Sequence, residues 1–263
     1  MIPIDTQFIL ALVIAGSIGA VAGFLGTLML TKRMTLVGGP LGHLTLPGIA
    51  LALLYGFDVF LGALIFVLIG ISFIWYFGKK TKLPMEALTA IVFPFSMATA
   101  FLFLPEEETV QALIGDISQI SLFAVITTIS LSLITFLVIK RIYKKMVFIG
   151  ISEDLAKVKG IDIQKYNLIY LICIALVVAI SVRIVGGLMT VAIMAIPAST
   201  SRNLSKNLSQ YAYGGLVFGV LASILGVFVF KLVNIPVGPA IIIVSVIFFL
   251  ISFILRSIRN VQI

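Results

Sequence analysis

Phe8-Ile9-Leu10-Ala11-Leu12-Val13-Ile14-Ala15-Gly16-Ser17-Ile18-Gly19-Ala20-Val21-Ala22-Gly23-Phe24-Leu25-Gly26-Thr27-Leu28-Met29-Leu30 carries no charge, and Thr31-Lys32-Arg33 follows at once. About 20 apolar residues cross the hydrocarbon core of a bilayer as an α-helix, so this stretch reads as a membrane span ending in bases. The unit recurs along the chain. Further spans are expected at about 41–56, 59–77, 84–104, 120–139, 167–185, 187–200, 211–233 and 236–255. If the N-terminus starts outside, the loops at 31–35, 78–83, 140–166, 201–210 and 256–263 fall on the cytoplasmic side. Those loops hold 16 of the 18 Lys and Arg residues, with Arg183 and Lys231 as exceptions. Asp5, Asp58, Glu106, Glu107, Glu108 and Asp116 fall on the other side. This is the positive-inside asymmetry, and it places Met1 outside and Ile263 in the cytoplasm.

Composition supports the same solvent. Hydrophobic residues make up 61% of the chain and charged residues 11%, against about 25% charged in soluble domains. The 263 residues fit eight or nine spans with short loops and leave no soluble domain of even about 50 residues. The expected fold is all-α, a polytopic integral membrane protein of eight or nine transmembrane helices, with 1–263 as a single domain in the plasma membrane. The net charge of +8 is spread over loops between spans, which fits contact with membrane lipid headgroups and not with nucleic acid. The N-terminus has no basic n-region, so Phe8–Leu30 is expected to be retained. Cys173, alone in the chain, cannot form an internal disulfide.

The spans at 41–56 and 187–200 are short and rich in Gly and Pro, which predicts broken or reentrant helices. Irregular backbone at membrane depth is tolerated only inside protein or along a cavity. Gly16, Gly19, Gly23 and Gly26 in the first span, and Gly215, Gly219 and Gly226 in the eighth, form small-residue stripes that suit close helix packing or a dimerisation face.

Enzyme signatures are missing. There is no Gly-rich phosphate loop ending in Lys-Ser or Lys-Thr, one histidine precludes a His-Glu-x-x-His pair, and no Gly-x-Ser-x-Gly elbow occurs. Three polar segments remain. Gly38-Gly39-Pro40-Leu41-Gly42-His43-Leu44-Thr45-Leu46-Pro47-Gly48 forbids a straight helix and frees carbonyls. His43, ionisable in such a place, is either a functional group or a donor to one of those carbonyls. In Gly150-Ile151-Ser152-Glu153-Asp154-Leu155-Ala156-Lys157-Val158-Lys159-Gly160, Ser152 caps a short polar helix with acids first and lysines last, and Gly160 ends it. Ile196-Pro197-Ala198-Ser199-Thr200-Ser201-Arg202-Asn203-Leu204-Ser205-Lys206 leaves a span at a proline and enters a polar loop. The last two segments suit docking of a soluble partner.

Read together, the segments resemble the permease subunits of ABC importers for zinc, manganese or iron. Leu41 to Leu51 resembles that family's Asp-x-Leu-Ser-His-x-x-Leu-Pro-Gly stretch, and Gln111-Ala112-Leu113-Ile114-Gly115-Asp116-Ile117 its Leu-x-Gly-(Asp/Asn)-Ile element. Ser152 to Gly160 is similar to its Ala-x-x-x-Gly segment. Val185-Gly186-Gly187-Leu188 through Ile196-Pro197-Ala198 is similar to its Val-Gly-x-Leu…Ile-Pro-Ala stretch, and Pro236-Val237-Gly238-Pro239-Ala240-Ile241 to its Pro-x-Gly-x-x-Ile opening of the final span.

The resemblance implies a transport subunit and not an enzyme: a homodimeric permease with ABC ATPase subunits and an extracytoplasmic metal-binding protein. No cofactor is expected on this chain, and ATP is expected on the partner subunit. The resemblance places His43, Thr45 and Pro47 along the substrate pathway, with His43 a transient metal ligand. It places ATPase docking at Pro197, Ser201, Arg202 and Lys206, with Glu153 and Asp154 as a second contact. One departure matters: Gly39 stands where manganese and zinc members carry Asp, and Gly42 where they carry Ser. Losing two carboxylates per dimer weakens attraction for a dication, above all Mn²⁺, which favours oxygen ligands. The alternatives are the same architecture moving an iron chelate or another small solute, a secondary transporter or channel, and a membrane scaffold.

Overall fold

The computed structural model describes residues 6–32, 41–81, 83, 85–103, 120–187 and 189–261. Among these residues every regular element is a helix: α1 (Thr6–Thr31), α2 (Leu46–Tyr55), α3 (Val59–Thr81), α4 (Met85–Phe103), α5 (Leu122–Ile151), α6 (Glu153–Val158), α7 (Ile163–Val185), α8 (Thr190–Leu204), α9 (Leu208–Val233) and α10 (Val237–Val261). Each of the nine apolar stretches coincides with a helix. Six of them are long and apolar enough to cross a membrane, and Leu41–Tyr55 and Ala87–Phe103 are shorter apolar helices. The chain is a multi-pass helical membrane protein.

α1 is the axis of the bundle, packed against α5, α8 and α9. The glycine stripes explain how it gets so close. A methyl group on Gly23 would strike the Gly215 carbonyl, one on Gly19 the Gly219 carbonyl, and one on Gly26 the Met194 carbonyl. These stripes are therefore spent on packing within the chain and are not free as a dimerisation face. Around the seam Ile18, Phe24, Leu25 and Leu28 are buried. A second glycine contact, Gly48 against Gly62, joins α2 to α3, and α4 packs on those two helices.

Local chemistry sets the ends. Gly56 closes α2 in the left-handed region at φ 68°, its N–H on the Ala52 carbonyl, a conformation glycine adopts without Cβ strain. Asp58 then caps α3 by accepting from the N–H groups of Phe60 and Leu61 at 2.8 and 3.3 Å. Ser152 accepts from the Leu155 N–H at 3.3 Å and starts α6, with Glu153 and Asp154 in its first turn and Lys157 in its last. Gly160 follows at φ 68°, so the short polar helix forms as its sequence dictates.

Two boundaries differ from expectation. α5 does not stop near 139 but runs 30 residues to Ile151, about 45 Å at 1.5 Å per residue. Beyond the apolar part, Tyr143 and Met146 are still buried while Lys140, Arg141, Lys144 and Lys145 face outward, so packing on one side carries the helix on. α8 does not end at Pro197 but continues to Leu204. Ser199 and Thr200 donate to the Ala195 and Ile196 carbonyls at 2.8 and 2.9 Å, and the missing proline N–H costs the helix only the bond to the Ile193 carbonyl one turn earlier.

Candidate functional site

Two helix breaks meet at one place. The first lies just before α2, where Leu41–His43 forms a single turn and Leu44 and Thr45 interrupt it. The second lies between α7 and α8, where Gly186 ends α7 at φ 77° with its N–H on the Val182 carbonyl. A Cβ on Gly42 would collide with the Gly187 carbonyl and the Thr190 hydroxyl, and one on Gly187 would come 3.1 Å from the Gly42 carbonyl. Only two glycines let these backbones touch.

The carbonyls near the breaks find hydroxyl partners. Thr45 Oγ1 donates to Gly42 O at 2.6 Å, Thr190 Oγ1 to Gly187 O at 3.1 Å, and Ser96 Oγ to His43 O at 2.6 Å. The imidazole is thus not what satisfies them. His43 is half-buried and stacks edge-on against Phe93, ring centres 4.7 Å apart. Its Nδ1 is buried without a hydrogen-bond partner, which leaves a nitrogen lone pair or donor uncommitted in an apolar surround. That is a costly arrangement for a purely structural residue.

The sequence-expected pathway residues therefore come together, in different roles. Thr45 is fully buried and braces the break. Pro47 is buried and lines, with Leu44, Phe95 and Ser96, an apolar cavity of about 490 Å³ between α2, α3 and α4. Among the described residues no group of three His, Cys, Asp or Glu side chains could hold a metal. Gly39, Glu106 to Glu108, the 111–117 element, Leu188 and both termini lie outside the described residues.

The docking candidates divide. Arg202, Lys206, Glu153 and Asp154 are exposed, while Pro197 and Ser201 are buried. Ser201 Oγ donates to the Tyr211 carbonyl at 2.8 Å, so its hydroxyl braces α8 on α9. Glu153 and Asp154 sit on α6, which packs against α5 and α7, whereas α8 packs on α1, α9 and α10. Sequence reading missed Ser96, Phe93 and Thr190 at the break. It also missed a brace under Arg202: Arg256 donates to Asn203 Oδ1 at 3.1 Å, and Asn203 Nδ2 to Ser252 Oγ at 3.0 Å. The available signal was Ser252 and Arg256 four residues apart in an apolar helix, which puts them on one face.

Against this geometry stand the relatives. The ABC 3 transport family matches residues 5–256. The chain belongs to that family. The manganese import system permease protein ScaB of Streptococcus parasanguinis is 29% identical over 247 residues, 92% of this chain and 88% of that one. The high-affinity zinc uptake system membrane protein ZnuB of Buchnera aphidicola is 24% identical over 239 residues, 88% of this chain and 91% of its own. Among solved structures, a chain of PsaBC from Streptococcus pneumoniae, in complex with Fab, superposes with a TM-score of 0.83 at 26% identity, covering 95% of this chain and 91% of that chain. The family membership bears out the resemblance read from the five motifs.

Proposed function

We propose that this ABC-family permease moves a divalent metal ion, zinc or manganese, across the plasma membrane as an importer. It acts as a homodimer, driven by a separate ABC ATPase and supplied by an extracytoplasmic metal-binding protein, with eight or nine spans, Met1 outside and Ile263 in the cytoplasm. The observation that carries the reading is the His43 imidazole, held at the meeting of two helix breaks with Nδ1 uncommitted although the neighbouring carbonyls are satisfied by Thr45, Thr190 and Ser96. Neutral imidazole suits zinc and related first-row ions, and a weak, transient contact suits a cargo that must leave again. The relatives named for manganese and zinc support the ion class. Gly39, in place of the family carboxylate, favours one second reading, a chelated or otherwise neutralised substrate.

The test is ATP-dependent uptake by the dimer reconstituted with its ATPase. His43→Ala is expected to lower uptake of free Zn²⁺ or Mn²⁺ per folded dimer by about tenfold or more, the scale on which metal sites respond to lost partners. Uptake in the unaltered protein should also fall in acid, once the imidazole takes up a proton and loses its ligand lone pair. Uptake per folded dimer that is unchanged by His43→Ala would make His43 structural. Transport of a chelate without transport of the free ion would move the reading to the second substrate.

A further inference from the structure

A cavity of about 330 Å³ with both polar and apolar walls lies at the corner where α3 ends and α6 and α7 begin. Its walls carry Trp75 and Lys79 from α3, Glu153 and Lys157 from α6, and Gln164 and Asn167 from α7. Behind the wall, Lys32 donates to Asn167 Oδ1, so what Asn167 retains to offer a ligand is its N–H groups. Lys157 meets Asp154 at 3.5 Å, but with side chains 66% and 94% exposed that pair is weak and leaves Lys157 available. Lys79 Nζ lies 5.7 Å from the centre of the Trp75 ring. Two ammonium groups, Lys79 and Lys157, and one carboxylate line the cavity, with two amides beside them. The complement is an anion that also carries hydroxyl donors for Glu153.

The helix below the cavity says where such an anion comes from. Leu61, Ile65, Leu68, Ser72, Trp75 and Lys79 recur at steps of three and four on α3 and share one face. Leu61 and Ile65 are 50% and 51% exposed, and Ser72 spends its hydroxyl on the Leu68 carbonyl at 2.7 Å. The face is thus an apolar track leading to a tryptophan and a lysine, the order of chemistry met on passing from acyl chains to headgroups. A soluble phosphate would need no such track.

We infer that this cavity binds the phosphodiester headgroup of an anionic, hydroxyl-bearing phospholipid of the phosphatidylglycerol type. Lys79 and Lys157 hold the phosphate, Glu153 accepts from the headgroup hydroxyls, and an acyl chain lies along the Leu61–Trp75 face. Only the leaflet, the inner one, rests on the orientation proposed above.

Trp75 is the one tryptophan of the chain, so its fluorescence reports on the site directly. The full chain is placed in nanodiscs of phosphatidylcholine into which phosphatidylglycerol or phosphatidylethanolamine is titrated, with inorganic phosphate added to a phosphatidylcholine control. A saturable change with phosphatidylglycerol is expected, and none with phosphatidylcholine or inorganic phosphate. Removing both ammonium groups in Lys79→Gln/Lys157→Gln should raise the half-saturating lipid fraction about thirtyfold. Native mass spectrometry of the unaltered protein, which asks nothing of the variant's folding, should show phosphatidylglycerol retained over the other two lipids. An equal response to phosphatidylethanolamine, saturation by inorganic phosphate alone, equal retention of all three lipids, or an unshifted response in a folded double variant would each overturn the assignment.

Discussion

Two of the glycine contacts in this bundle are not alike. Between α1 and α9 four glycines face each other over about one turn, Gly19 and Gly23 against Gly219 and Gly215, and large buried side chains close around them. Between α2 and α3 there is a single crossing, Gly48 on Gly62, and beside it the helices part around an apolar cavity shared with α4. The closed seam runs through the axis of the bundle. The open one belongs to α2, which carries Pro47 and follows the break at His43 and Thr45. Dense packing resists displacement while few buried neighbours permit it, so the difference assigns stability to one seam and adaptability to the other.

The sharpest test inserts one methyl group at each seam. Gly23→Ala would drive a carbon into the Gly215 carbonyl with no room to yield, and is expected to cost about 3 kcal/mol, at the upper end for overpacking. Gly48→Ala meets the Gly62 carbonyl just as closely, but α2 can shift toward the cavity, so about 1 kcal/mol is expected. Gly16→Ala, whose methyl would meet only Ile224 at 3.7 Å, serves as the control and should lie within about 0.5 kcal/mol of the unaltered protein. Thermal unfolding in one detergent measures all three. Equal losses at Gly23 and Gly48 would mean that the two seams are equally rigid.

The next test asks whether the rigid side transmits force. Arg202 is exposed at the end of α8, and the next residue, Asn203, is tied to α10 through Arg256 and Ser252. Arg202→Glu is expected to uncouple ATP hydrolysis from transport in the reconstituted complex, with unfolding changed by no more than about 0.5 kcal/mol, as for other surface substitutions. Coupled transport at the normal ratio would remove this helix end from the ATPase interface. A smaller effect belongs to the open side: Thr45→Val leaves the buried Gly42 carbonyl without its hydroxyl partner and should cost about 1–2 kcal/mol. If melting is unaltered in Thr45→Val, that hydroxyl is not what fixes the break.

How much of this contrast was legible in the sequence follows from the range of the forces involved. Hydropathy and charge are local signals, and each apolar stretch from 8–30 to 236–255 became a helix. The Ser152 cap and the Gly160 terminus were legible because a cap and its helix lie within a few residues. Glycine spacing announced that α1 and α9 would each approach something, but not that Gly23 would meet Gly215 across nearly two hundred positions. The same limit hid the pathway break. Ser96 and Thr190 read as ordinary polar residues in apolar helices until folding brings them against carbonyls freed near His43 and Gly187. Pro197 misled for a different reason: a proline costs a helix one backbone bond, and α8, packed on α1, α9 and α10, continues through it to Leu204.

The smallest expected effect concerns the Lys32 end of the closed seam. Lys32 follows the last turn of α1, donates to Asn167 and lies 5.9 Å from the Tyr170 ring centre. Burial pulls its pKa from 10.5 down to about 8, and attraction to Glu153 opposes that only in part. The unfolded chain binds the Lys32 proton up to its ordinary pKa, the folded chain only up to about 8. Between these values the unfolded state holds more protons, so stability rises with pH across that window. Below it both states are protonated, and the full cost of burying the ammonium is felt. Lys32→Met should therefore stabilise the protein at pH 7 by on the order of 1 kcal/mol, with the lost Asn167 contact offsetting part of the gain. The advantage should shrink as pH climbs from about 8 toward 10.5, because the unaltered protein then sheds the charge itself. Melting curves of the two proteins across that range decide it. A constant gap would show that Asn167 and the Tyr170 ring fully compensate the buried charge, and that the seam ends in an ordinary solvated lysine.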